Sequence, residues 1–430
     1  MQKDKRYAAE THLVYGESQT PKWDYAHHVV PPISSSTTFR LDSAQRGAQG
    51  FQELSEMTKF TPDHRPIYIY DRLSEPNKEL LEENLAFAEN GEMALVFSCG
   101  MSAISAALGS LTQSGQEIIA HKTLYGCTYS LLTNWYPRYN IATHFVDLKT
   151  PEVIRVHANA NTRVIYFETP TNPSLELIDI AEVRKVVDEL NKGRTDAQKI
   201  FIVIDNTFAT PFCQRPLTLG SDFVVHALTK NIGGFGTDMG GVVIGPKWAK
   251  PLVFLYRKDF GGILSPKSAW AILVYGIPTL PLRMRQEMST AMQLAVFLDT
   301  HPKIEEVIYP GLDTHPQHDL AKRQMKDYDG NFAPGSLIYF KVKGETPQES
   351  RDNGERLINY LAEHAYTITL AVSLGHTRTL IEHPSSMTHS PIPIAEQIKM
   401  GIDPGGIRIS VGIEPARDII FDLGEALKKI

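Results

Sequence analysis

The chain has 430 residues, with 43 Lys plus Arg against 49 Asp plus Glu, for a formal net charge of −6. Hydrophobic residues make up 42% and charged residues 21%, the balance of an ordinary globular protein, which excludes a disordered or low-complexity chain. Basic residues are not clustered along it, so electrostatically driven nucleic-acid binding is excluded as well.

The length suits roughly two to three domains. Cys99, Cys127 and Cys213 are odd in number and far apart, which fits a reducing compartment better than a disulfide framework. With no Cys-x-x-Cys pair among them, no structural metal site is expected. The N-terminal MQKDKRYAAETHLVYGE lacks the apolar core of a signal peptide. The longest apolar run, Ala269 to Leu282, is too short for a membrane span and contains Pro278 and Pro281. A cytoplasmic globular protein of metabolic type is expected.

In chain order, the first seventy-odd residues show little periodicity, with Pro31, Pro32, Pro62, Pro66 and a Ser/Thr run from Ser34 to Thr38. They read as an extended arm that packs on something else, such as a neighbouring subunit. Asn77 to Asn90 has helical spacing. Short apolar runs then alternate with helical stretches. Ala94 to Phe97 precedes the helical MSAISAALGSL, Arg163 to Glu168 ends in ETPTNP, and a helix from Ile180 leads to IFIVID, ending at Asp205. DFVVH leads to Lys230, and GGVVIG follows from Gly240. This alternation predicts parallel βαβ units, whose ligands sit beyond the carboxyl ends of the strands. A helical stretch from about Leu280 to Leu298 links to SLIYFKVKG, a helix near Arg351 to His364, ITLAVSL and IRISVGI, a smaller α+β unit. The expected division is an arm over 1–75, an α/β domain over 76–278 and an α+β domain over 279–430.

Three residues bear on chemistry. Asp205 ends an apolar strand, where a carboxylate needs a partner. Lys230 lies after a strand and before a glycine-rich turn, where partial burial can keep an amine neutral and nucleophilic. Arg408 stands on the IRISVGI strand. Singly, each has an ordinary reading as a cap, a surface residue or an ion-pair partner. Together, a lysine that can form an imine and a carboxylate that can keep a pyridine nitrogen protonated suit pyridoxal phosphate chemistry. SCGMSAIS supplies strand, glycine and helix in the order a phosphate site requires.

The strings YDRLSEPN, SCGMSAI, LYGCTY, ETPTNP, VIDNTFATP, ALTKNIGG, VSLG…HPSSMTHS and RISVGIE occur in one order. The chain thereby resembles the Cys/Met-metabolism family of pyridoxal-phosphate enzymes, which includes cystathionine γ-synthase, cystathionine γ-lyase, O-acetylhomoserine sulfhydrylase and methionine γ-lyase. The resemblance implies fold type I, aspartate aminotransferase-like: a large, mostly parallel-sheet α/β domain and a smaller C-terminal α+β domain. It implies pyridoxal 5'-phosphate held by Lys230, with Asp205 on the pyridine nitrogen, Tyr125 stacked on the ring and Asn172 near its hydroxyl. Gly100, Met101 and Thr229 would bind phosphate from one subunit, and Tyr70 and Arg72 from its neighbour. That arrangement makes a dimer the minimal active unit and a tetramer of two active dimers the expected assembly. Arg408, supported by Ser373, would clamp the α-carboxylate of a small amino-acid substrate. Tyr125 is the expected acid near the leaving sulfur, its pKa lowered by cations such as Arg72.

Cys127 and Val372 resemble the methionine γ-lyase side, where cysteine replaces a usual glycine and the glutamate of the cystathionine enzymes is missing. The expected activity is γ-elimination of L-methionine or a related sulfur amino acid to 2-oxobutanoate, ammonia and a thiol. The alternative is γ-replacement, as in O-acetylhomoserine sulfhydrylase or cystathionine γ-synthase. The chain departs from the pattern at Ala227, Asp71, Glu75 and His376 to Thr379. Asp71 and Glu75 add negative charge near the expected phosphate, unfavourable unless both carboxylates point at basic partners. A nucleotide-binding reading of GGFGTDMGG fails on Met239, which stands where a third glycine is needed.

Overall fold

In the computed structural model, the structure describes residues 7–16, 28–56, 66–387, 390, 393–399 and 402–430. The end of the HPSSMTHS string lies outside them at Thr388 and His389.

Seven strands form the larger sheet: β1 (Met93–Phe97), β2 (Glu117–His121), β3 (Ala142–Val146), β4 (Thr162–Glu168), β5 (Phe201–Asp205), β6 (Phe223–Ala227) and β7 (Gly241–Gly245). Their order is β1-β7-β6-β5-β4-β2-β3, parallel from β6 through β3, with β7 antiparallel to both of its neighbours. Strand residues alternate between two apolar layers, as the period of two requires. Tyr166, Val203 and Val225 pack with the helix Gly100–Leu111, whereas Ile165, Phe167, Ile202 and Ile204 pack with the helix Ile180–Asn191. Burial on both faces explains why these strands read as continuous apolar runs.

The smaller sheet contains β8 (Ile304–Ile308), β9 (Leu337–Val342), β10 (Ile368–Leu370), β11 (Thr379–Glu382) and β12 (Gly406–Ser410), in the order β10-β11-β12-β9-β8. Ile338, Phe340, Ile381, Ile407 and Ile409 face a helical layer formed by Pro347–His364, Ala416–Leu427 and the far half of Ile277–Asp299. The near half of Ile277–Asp299 packs on the larger sheet through Leu280 and Met284, so one 23-residue helix serves both sheets. The alternate residues Leu337 and Tyr339 turn the other way and meet Leu175 and Phe208 from the large-sheet side.

The sequence pattern missed β2, β3, β8 and β11. β3 and β8 are edge strands whose burial is incomplete and β11 has only four residues, so their patterns are weak, whereas β2 is as long as β1 and β5 and could have been read. The N-terminal segment departs from the expected extended arm, because it includes the helices Ala9–Tyr15 and Ala44–Ser55. The second is capped by Ser43, whose side chain accepts the Arg46 N–H.

Candidate active site

Three strands of the large sheet end side by side at Glu168, Asp205 and Ala227. Glu168 pairs with Asp205 in register, which puts both carboxyl groups on the face of the helix Gly100–Leu111. A Cβ added to Gly100 would lie 2.8 Å from the Ala227 Cβ, so only glycine lets the helix start approach the strand end this closely. The cap of that helix, Cys99, makes no side-chain capping bond, so the first-turn N–H groups have no side-chain cap among the described residues. Asp205 Oδ1 accepts the Thr207 N–H at 2.9 Å, and the Thr207 hydroxyl accepts the Ala227 N–H at 2.9 Å.

Burial pushes the Asp205 carboxyl above the usual range, opposed by Thr207. Burial and the adjacent Asp205 carboxyl raise Glu168 to about 8. Two neighbouring buried acids do not both ionise readily. A protonated ring nitrogen facing Asp205 would relieve that conflict. Glu168 also accepts the Tyr125 backbone N–H at 2.7 Å, anchoring the turn that carries Tyr125 and Cys127.

Lys230 follows β6 on a tight turn in which the Gly234 N–H donates to the Lys230 carbonyl at 2.8 Å. Its ammonium donates to Ser373 Oγ at 2.6 Å. Burial and then the Arg408 charge lower the Lys230 pKa, and Glu382 partly offsets them. Ser373 has φ 90°, a strained conformation for a non-glycine residue that costs about 1–3 kcal/mol.

Arg408 lies between Ile407 and Ile409 on β12, so period-two alternation turns it away from the helical layer and toward the large sheet. One of its Nη atoms donates to Asn172 Oδ1 at 2.9 Å, and the other donates to the Ser373 carbonyl at 2.8 Å. The guanidinium also lies 5.9 Å from the centre of the Phe208 ring. The structure therefore brings Lys230, Ser373, Arg408 and Asn172 into one connected group.

Other expected residues are placed differently. The Thr229 hydroxyl is engaged with Gly240, donating to its carbonyl at 3.3 Å and accepting its N–H at 3.1 Å. Met101 Sδ accepts a hydrogen bond from the Thr128 hydroxyl at 3.9 Å. Arg72 donates to the Lys258 carbonyl at 2.6 Å and lies 5.6 Å from the Tyr70 ring centre. Tyr125 departs from the expected acidity: hydrogen bonding with Cys127, then burial, raises its hydroxyl to about 12. The added acids find local roles. Asp71 pairs with Lys78 at 2.7 Å, and Glu75 caps the helix Pro76–Ala88, accepting the Asn77 and Lys78 N–H groups at 2.9 and 2.7 Å.

Sequence reasoning missed Glu168 and Glu382 as members of the site. Glu168 carried the same signal as Asp205, an acid closing an apolar strand. Glu382 sits on β11 opposite Arg408, a pairing visible only in the register.

A seven-stranded, mostly parallel sheet joined to a smaller sheet, with the lysine, carboxylates and arginine at their junction, defines a fold type I pyridoxal-phosphate enzyme. The family description Cys/Met metabolism PLP-dependent enzyme matches residues 10–428, and the chain belongs to that family. It is 41% identical over 401 residues to an L-methionine gamma-lyase of Fusobacterium nucleatum subsp. polymorphum, covering 93% of each chain. It is 36% identical to an O-acetyl-L-homoserine sulfhydrylase of Leptospira meyeri, covering 99% of this chain and 98% of that one. A crystal structure of cystathionine gamma synthase from Xanthomonas oryzae pv. oryzae superposes with a TM-score of 0.83 at 30% identity, covering 98% of each chain. The cofactor is pyridoxal 5'-phosphate, and the helix start without a side-chain cap, the Gly100 approach, the half-buried Asp205 and the depressed Lys230 fit it.

Proposed function

We propose that the protein catalyses γ-elimination of L-methionine or a close sulfur-containing analogue, giving 2-oxobutanoate, ammonia and a thiol with uptake of water. The observation that carries this reading is the meeting of Lys230 and Arg408 at one residue, Ser373. It sets a proton-transferring amine beside a cation able to hold an α-carboxylate. The likeness to L-methionine gamma-lyases supports the choice of substrate.

When bound, the cofactor supplies an electron sink for the pair left at Cα. Lys230 would hold it, and the Lys230 amine would move protons at Cα and Cβ of the substrate. The lowered pKa of Lys230 suits it to act as a base. Asp205 would keep the ring nitrogen protonated, Tyr125 would stack on the ring, and Gly100, Met101 and Thr229 would line the phosphate site. Asn172 serves the ring hydroxyl while also steadying Arg408. Tyr125, whose hydroxyl is held protonated by the Cys127 contact and then by burial, is the acid that would deliver a proton to the departing sulfur. Cys127 lines the substrate side beside Tyr125. Tyr70 and Arg72 serve a neighbouring subunit's phosphate site, in a tetramer of two active dimers. The proposed division keeps an N-terminal arm over 1–75, a cofactor domain over 76–278 and a C-terminal domain over 279–430. The protein is proposed to act in the cytoplasm, and no helix among the described residues is long and apolar enough to cross a membrane.

A second reading, γ-replacement, is favoured by the likeness to O-acetyl-L-homoserine sulfhydrylase. Incubating the cofactor-loaded protein with L-methionine alone separates the two. Release of 2-oxobutanoate and methanethiol is expected. No product from methionine, with turnover of O-acetylhomoserine and sulfide, would overturn elimination in favour of replacement.

A further inference from the structure

Glu382 belongs to none of the roles assigned above, yet it faces both cations of the site. It closes β11 and pairs with Arg408 of β12 in antiparallel register, so the two side chains leave the same face of the smaller sheet. Its Oε1 lies 3.1 Å from the Arg408 Nη that also donates to the Ser373 carbonyl. Both residues are buried, at 7% and 5% exposure. Asn172, the Ser373 carbonyl and Glu382 thus hold the guanidinium from three directions. A guanidinium has five N–H donors, so this grip leaves donors to offer a ligand.

We propose that Glu382 is a positioning residue that sets the affinity of Arg408 for the α-carboxylate of the amino-acid substrate, both by fixing the guanidinium and by offsetting its charge. A carboxylate entering this site must share Arg408 with an acid already beside it. The benefit of the standing acid is a buried arginine kept in place without a ligand, since an unpaired buried charge is strongly destabilising. The consequence is weaker binding of an incoming carboxylate than a bare guanidinium would give. Glutamine at this position keeps an acceptor oxygen for Arg408 and removes only the charge.

The proposal rests on the reading of Arg408 as the carboxylate clamp, so the test separates the two. Calorimetric titration of the cofactor-loaded protein uses L-norleucine, which carries the α-carboxylate and no γ leaving group. Pentylamine, the same molecule without its carboxylate, is the control. Glu382→Gln is expected to tighten L-norleucine roughly three- to tenfold and leave pentylamine unchanged. Equal shifts for both ligands, or no tightening of L-norleucine, would overturn the proposal. The paired variant Arg408→Gln with Glu382→Gln keeps the buried pair neutral, and retention of the cofactor absorbance band reports that it is folded. It is expected to lose at least about tenfold in L-norleucine affinity. If it binds L-norleucine as the parent does, the reading of Arg408 fails and takes the proposal with it. If it loses binding while Glu382→Gln matches the parent, the role of Glu382 alone is refuted.

Discussion

The two sheets bring buried carboxylates to the same site in opposite electrostatic settings. At the carboxyl ends of two central strands of the large sheet, Glu168 and Asp205 are neighbours in register, and burial together with the Asp205 charge makes Glu168 harder to ionise. On the smaller sheet, burial also raises the Glu382 carboxyl above its ordinary range, but there Arg408 and Lys230 oppose the rise. Parallel pairing of β4 with β5 aligns acid with acid, and antiparallel pairing of β11 with β12 aligns acid with base. The first arrangement favours a cationic ligand, such as a protonated ring nitrogen. The second is already compensated and can only be adjusted.

The largest effect is expected from breaking the first arrangement at its centre. Asp205→Asn keeps the shape but removes the charge proposed to hold the ring nitrogen protonated. kcat/KM should fall by about 10³-fold, roughly 4 kcal/mol of transition-state stabilisation, measured in steady state with the best amino-acid substrate. A fall below tenfold would mean that Asp205 does not face the ring. Next in size is Tyr125→Phe. It should lower kcat by about 10²-fold, the usual reach of a positioned acid, while the cofactor dissociation constant changes far less. An unchanged rate would remove Tyr125 from proton delivery.

The smallest effect sharpens the comparison through pH. Glu168 has a folded-state value near 8 against an ordinary 4.5, so between those limits the folded protein holds a proton that the unfolded chain has released. Stability of the cofactor-free protein should therefore fall as pH rises through that window, by at most about 1.4 kcal/mol per pH unit. Glu168→Gln should flatten that slope in denaturant melts at pH 5, 6.5 and 8. If the slope persists in the variant, another group is responsible for it.

Much of this site could be read from residue order. Lys230, Asp205 and Arg408 announced themselves because each interrupts an apolar pattern with a charge at a strand end or within a strand. Gly100 was legible as a strand-to-helix turn. Glu168 could have been found by the rule that singled out Asp205. Glu382 could not, since its meaning depends on which strand pairs with β11 and in what register. Nor could the Thr229 contact with Gly240 or the Tyr125 contact with Cys127 be anticipated, because both turn on side-chain direction within a loop.

Apolar periodicity and punctuation by glycine and proline are local properties of the chain, so sequence alone settled most of the alternation of strands and helices and the two-part α/β and α+β organisation, while the chemical class of the site came from the resemblance that its ordered motifs carry. The junction itself belongs to the tertiary structure. Lys230 and Ser373 are 143 positions apart in the chain, and Asn172 and Arg408 are 236 apart. Only the packing of the smaller sheet against the carboxyl edge of the larger one brings them within hydrogen-bonding distance. That same packing decides whether a buried acid meets another acid, as Glu168 does, or a cation, as Glu382 does.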